Sequence, residues 1–200
     1  MSRVVDLICA VAICAVAICA VALAAVCIAA EEGNVSVEIV TEVGTMTVEL
    51  MPSKAPNTVR NFLERVDEGF YDGLIFHRVM FTFVIQAGGF DVDMNYREAP
   101  QTVANESANG LSNTRGTIAM ARASDPDSAG AQFYINMKDN TSLDAAPDRP
   151  GYTVFGAVTE GMEVAEQIEL VETGIVAGMA NVPTEPIVIE TIRRVEPTED

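Results

Sequence analysis

His77 is the only histidine in the 200 residues, so any imidazole base or imidazole metal ligand would have to be this one ring. It lies in the apolar run Leu74–Met80, where a lone histidine reads first as a core residue. Thiol chemistry is confined to one end, because Cys9, Cys14, Cys19 and Cys27 are the only cysteines. Beyond Cys27, a cysteine nucleophile and a cysteine-ligated zinc are both excluded. The chain has no Gly-rich phosphate loop, no H-E-x-x-H and no G-x-S-x-G. Its carboxylates are scattered, and no pair stands out for acid–base work. Taken singly, Arg78 reads as a surface ion-pair partner and Gln86 as an outward strand residue. Phe83, Val84, Tyr134 and Leu143 read as core.

Charge narrows the partners. There are 29 acidic against 12 basic residues, a net charge of −17. A nucleic-acid binder needs a positive field to displace counterions from phosphates, so that class is excluded. Adsorption to an anionic membrane surface is excluded for the same reason.

The four cysteines belong to an apolar stretch from Leu7 to Ala30, 24 residues without a polar side chain. As a helix rising about 1.5 Å per residue it is long enough for a hydrocarbon layer of about 30 Å. Arg3 precedes it and Glu31 and Glu32 follow, a charge order that sends the rest of the chain outward. Its length favours a retained anchor, whereas Ala29 and Ala30 before Glu31 suit a cleaved signal peptide. Both readings imply export to a periplasmic or extracytoplasmic space, with membrane contact only through residues 7–30 if they stay attached. Residues 31–34 form a linker, 35–195 the working domain and 196–200 a tail. The chain without residues 1–30 keeps 11 basic and 28 acidic residues, still −17. Three N-x-S/T sequences, at Asn34, Asn105 and Asn140, matter only in a host that glycosylates.

Period-2 alternation places strands at Val35–Ile39 and Met46–Leu50, joined as a hairpin. Val59, Phe62, Leu63 and Val66 then fall on one helical face, with Pro56 in the first turn and Gly69 after the end. Strand-like runs follow at Leu74–Ile85, Thr117–Ala121, Gln132–Asn136, Tyr152–Val158 and Ile187–Val195. A second short helix fits Met162–Ile168. Many short strands with two helices predict a mainly β fold, a closed antiparallel barrel or a sandwich.

The segment Phe76–Phe90, FHRVMFTFVIQAGGF, resembles the signature of the cyclophilin family of peptidyl-prolyl cis-trans isomerases. Asn105–Arg122, Ala131–Asn136 and Gly151–Val158 follow in that family's order and spacing. The likeness is greatest to its exported bacterial type. It implies a closed eight-stranded antiparallel β-barrel capped by two α-helices, no cofactor and no metal. It also implies a monomer acting on proline-containing unfolded or extended polypeptides. On this resemblance Arg78, Gln86 and Phe83 are the catalytic residues. Val84, Tyr134 and Leu143 complete the proline pocket, with Tyr152 at its edge. Backbone groups of Ala121 and Arg122 bind the substrate chain, and Gln132 lines the groove.

The sequence departs from the family pattern at several of these positions. Phe81 and Thr82 stand where Pro-Gly or Asn-Gly is usual, so the loss of glycine predicts a turn without positive φ and a reshaped loop. Ala87 replaces a glycine, which predicts an added methyl near the floor of the site. Val84 replaces a methionine, and Tyr134 replaces a phenylalanine and brings a hydroxyl that needs a partner. Ser142 stands where cyclosporin-sensitive members carry tryptophan, so weak cyclosporin binding is expected. The resemblance implies prolyl isomerisation during folding of exported proteins. A peptide-binding chaperone or scaffold with the same groove and little turnover is the alternative.

Overall fold

The computed structural model describes residues 35–195. The anchor or signal segment, the 31–34 linker, Asn34 and the 196–200 tail lie outside the described residues. Eight strands form one antiparallel sheet: β1 Val35–Thr41, β2 Gly44–Leu50, β3 Leu74–Met80, β4 Val84–Asp91, β5 Thr117–Met120, β6 Phe133–Asn136, β7 Val154–Glu160 and β10 Ile189–Arg194. Their order is β10-β1-β2-β7-β5-β6-β4-β3. The two edges approach each other through Phe76 N–H to the Ile187 carbonyl at 3.0 Å and Gly73 N–H to Ile189 at 2.9 Å. An Ile75–Val188 bridge lies beside them. The barrel is therefore nearly closed, and closure satisfies edge groups that would otherwise invite another chain.

Alternation sets the core. Val37 and Ile39 of β1 and Met46, Val48 and Leu50 of β2 are fully buried in the barrel interior. Two helices, α1 Pro56–Asp67 and α2 Met162–Glu169, lay their apolar faces on that interior. Phe62 of α1 meets Tyr71, Phe133 and Phe155 at ring-centroid distances of 5.3, 5.7 and 5.2 Å. Gly161 opens α2 with φ of 79°. A Cβ there would sit 2.2 Å from the Thr45 carbonyl oxygen, so no side chain fits.

The structure corrects the sequence reading in two places. The single run Leu74–Ile85 is two strands, β3 and β4, reversed by the turn 81–83. Continuous hydrophobicity hides that turn, because Phe81 projects outward and is 66% exposed. Sequence reasoning also misses a hairpin, β8 Thr173–Val176 with β9 Met179–Pro183. Ala177 and Gly178 turn it with φ of 50° and 82°, the geometry of a two-residue hairpin loop. Ile175 is 79% exposed, so β8 offers no apolar–polar alternation to read. Among the described residues no helix is long and apolar enough to cross a membrane.

α1 lacks a local cap, since Ala55 holds the N-cap position and has no polar side chain. Glu106, far away in sequence, replaces it. Its carboxylate accepts from the Asn57 and Thr58 N–H groups at 3.1 and 2.8 Å and from the Thr58 hydroxyl at 2.7 Å. Burial pushes its pKa up, but these donors outweigh that and hold it below the ordinary glutamate value. Glu106→Ala should cost about 1–2 kcal/mol, the usual worth of a lost N-cap. Urea denaturation checks this: the midpoint falls at unchanged slope, and an unmoved midpoint would show that the cap contributes nothing.

Candidate active site

One cross-strand row builds the site. Arg78 of β3 pairs with Gln86 of β4, Gln86 with Tyr134 of β6, Tyr134 with Ala119 of β5, and Ala119 with Val154 of β7. All five lie on the outer face of the barrel, because Ile85 and Ala87 beside Gln86 point into the core. Arg78 reaches that face through an irregularity. Phe76 pairs with Ala87 and Arg78 with Gln86, so β3 carries one extra residue, His77. Leu74, Phe76 and Val79 all point inward, and the parity changes at this bulge. Without it, Arg78 would point into the core.

The bulge residue is buried, with His77 1% exposed and its ring 4.8 Å from that of Phe90. Arg78 donates from Nη1 to Gln86 Oε1 at 3.1 Å, and Gln86 donates from Nε2 to Gln132 Oε1 at 2.9 Å. Both of these glutamines therefore aim the guanidinium. Gly89 makes room for the second one: a Cβ there would lie 2.6 Å from Gln132 Cδ.

Beside Arg78 an apolar patch separate from the main core forms around Val84, Ala119, Tyr134 and Val154. Phe83, Leu111, Leu143 and Tyr152 close around it from the connecting segments. The result is a pocket of about 270 Å³ with Arg78 and Gln86 on one wall and Ala121 and Arg122 on another. Nine of the ten residues expected from sequence line it. The tenth, Gln132, lines a neighbouring cavity of about 370 Å³ that shares Gln86, Ala121 and Arg122 with the first. The Ala121 N–H donates to the Gln132 carbonyl at 2.9 Å. Sequence reasoning missed Leu111, Ala119 and Val154. For Ala119 the signal was present, as the residue alternating with inward Ile118 and Met120.

Polar groups hold this apolar patch from behind. The Tyr134 hydroxyl donates to Asn113 Oδ1 at 2.8 Å, which supplies the partner it needs, and burial raises its pKa. Asn113 donates in turn to Asp144 Oδ1 from its backbone and its side chain, at 2.7 and 2.9 Å. Asn140 donates to the Phe83 carbonyl at 2.9 Å and to Asn136 Oδ1 at 2.8 Å. Asp144 is desolvated, yet bonds from Ser112 and Asn113 keep its carboxyl below the usual range.

Two expectations about the departures fail. Thr82 does adopt positive φ, 56°, so the turn survives without glycine. Its N–H donates to Glu169 Oε1 at 2.7 Å, and the Phe83 N–H donates to the Met80 carbonyl at 3.0 Å. These bonds hold a conformation that costs a β-branched residue about 1–3 kcal/mol. Ala87 does not intrude on the floor of the site, because its methyl faces the barrel interior.

The model of the family described as cyclophilin type peptidyl-prolyl cis-trans isomerase/CLD matches residues 36–194. The chain belongs to this family. It is similar to peptidyl-prolyl cis-trans isomerase cyp18 of Streptomyces antibioticus, 48% identical over 161 residues covering 79% of this chain and 97% of that one. Peptidyl-prolyl cis-trans isomerase B of Escherichia coli is 44% identical over 155 residues, covering 76% and 94%. Among solved structures, a cyclophilin type peptidyl-prolyl cis-trans isomerase of Cryptosporidium parvum crystallised with the dipeptide Ala-Pro matches with a TM-score of 0.66. It is 26% identical and covers 80% of this chain and 99% of its own.

In this cyclophilin the bulge histidine has a pH signature. Desolvation lowers the His77 pKa from 6.5 to about 4, although the Ile75 backbone and Gln132 favour its charged form. The unfolded chain therefore takes up the proton first as pH falls. Stability is full above pH 7 and declines from about pH 6.5 down to about 4, with a loss of about 2 kcal/mol between pH 7 and 5. Denaturation at the two pH values measures it. His77→Gln should remove most of that difference, since carboxylates titrate mainly below this window; an unchanged difference would assign it elsewhere.

Proposed function

We propose that the 270 Å³ pocket holds the substrate proline and that Arg78 drives rotation of the bond before it. The observation that carries this reading is the Arg78–Gln86–Gln132 chain at the rim of the apolar pocket. A free X–Pro bond meets a barrier of about 18–20 kcal/mol and flips in tens to hundreds of seconds. Bringing that to milliseconds takes roughly 10⁵-fold, about 7 kcal/mol. No bond breaks, so neither nucleophile nor cofactor is needed. In the twisted state the prolyl nitrogen loses conjugation and accepts a hydrogen bond better than in either planar state. A guanidinium aimed at it binds the twisted state selectively. One charge-assisted bond supplies about 1.5–3 kcal/mol. Anchoring of the ring among Phe83, Val84, Tyr134 and Leu143 and of the flanking chain along Ala121 and Arg122 supplies the remainder.

The intact arginine and its two glutamines favour catalysis over the scaffold alternative, which needs only the apolar pocket. The apolar stretch Leu7–Ala30, with Arg3 before it and Glu31 after it, supports service to exported polypeptides. Isomerisation of a proline tetrapeptide should be fast with the parent and at least tenfold slower with Arg78→Ala at unchanged melting temperature. A folded, inactive parent that still binds proline peptides would favour the scaffold.

Ser142 offers no indole to a large cyclic ligand, and Arg149 Nη2 holds its carbonyl at 2.8 Å. Cyclosporin should therefore inhibit only well above nanomolar concentration. Inhibition at nanomolar drug in the same assay would overturn this.

A further inference from the structure

Two cations, Arg78 and Arg122, line the groove. The chain carries −17 overall, yet neither Arg78 nor Arg122 has a carboxylate within ion-pair distance among the described residues. Arg78 is held by neutral Gln86. Arg122 is held by carbonyls alone: Nε donates to Gly151 at 3.3 Å, Nη1 to Ala123 at 3.0 Å and Nη2 to Pro150 at 3.1 Å. Its guanidinium also lies over the Tyr152 ring, 4.6 Å from the centroid. This cation is fixed in place before any ligand arrives, so little side-chain entropy is left to lose on binding.

A guanidinium has five N–H donors, and these three bonds leave two, one on each terminal nitrogen. Two such donors match the two oxygens of a carboxylate. No carboxylate side chain lines the proline pocket, whose only ionic lining groups are Arg78 and Arg122. Glu98 lines the neighbouring cavity, not this pocket. Asp144 lies behind the pocket, bonded to Ser112 and Asn113 and close to Arg149. The positive field is therefore concentrated at the rim of the proline pocket.

We propose that Arg122, with Arg78 beside it, selects prolyl peptides that carry a side-chain carboxylate next to the proline. The acidic surface elsewhere repels such peptides at long range, but at 0.15 M salt the screening length is about 8 Å. Contact at the rim then decides selectivity. This inference rests on the groove being the prolyl-peptide site, and the two can fail separately.

The test uses the full chain at 0.15 M salt and capped tetrapeptides without terminal charges. Glu, Gln or Lys is placed directly before the proline in one series and directly after it in a second. In at least one series kcat/KM should favour Glu over Gln roughly fivefold, about 1 kcal/mol, with Lys poorest. Arg122→Gln should bring the Glu-to-Gln ratio to within twofold; the ratio is read, whatever the absolute rate. Peptide Kd gives the same ratio should turnover be absent. Normal isomerisation with Glu and Gln alike in both series overturns the selectivity and leaves the isomerase reading intact. A preference that survives Arg122→Gln overturns the role of Arg122. Neither turnover nor binding of any peptide overturns both readings together.

Discussion

The register of β4 between β3 and β6 is the constraint on which the site depends. Val84 and Gln86 face the groove while Ile85 and Ala87 fill the barrel. A slip of one residue would bury Gln86 and expose Ile85. The same ladder must deliver Arg78 from a strand whose own alternation runs the wrong way. One extra residue resolves the conflict, and that residue is the only histidine. The bulge places the guanidinium outward, at the cost of burying an imidazole whose Nδ1 has no partner.

The pocket shows a division between apolar lining and polar support. Its walls come from strands at fixed register, but Phe83, Leu143 and Tyr152 arrive from connecting segments that no ladder holds. Loop hydrogen bonds fix them instead: the Leu143 N–H donates to the Asn140 carbonyl at 2.8 Å and the Tyr152 N–H to the Leu143 carbonyl at 2.9 Å. Asn140 ties the Phe83 carbonyl, and Asn113 ties Tyr134 and Asp144. Such bonds are worth more in a buried setting than on the surface, and they also make the arrangement unforgiving of a missing partner. Positive φ at Thr82 belongs to the same pattern, a local conflict overruled by the bond its N–H donates to a distant helix residue, Glu169.

Charge is distributed with equal economy. A net charge of −17 sets up mutual repulsion with other polyanions. Against it, the groove keeps cations that carbonyls and neutral amides position but do not neutralise. A carboxylate partner would orient an arginine just as well while cancelling the field it can direct at a ligand.

Much of this was legible in the sequence. Alternation in Val35–Leu50, the helical face Val59–Val66 and the four family segments with their order determine the barrel, its two helices and the identity of Arg78, Phe83 and Gln86. The alternation and the helical face are local, and period 2 or 3.6 in hydrophobicity records them directly, whereas Arg78, Phe83 and Gln86 stand out only through the resemblance to the family. Tertiary structure alone decided which way each residue faces. The bulge at His77, the inward turn of Ala87, the capping of α1 by Glu106 and the pinning of Arg122 over Tyr152 each depend on a partner elsewhere in the fold. Glu106 lies 48 residues from Thr58, and Gln132 lies 46 from Gln86. A strand's sequence fixes its alternation, but the neighbours that close around it fix the face on which its chemistry appears.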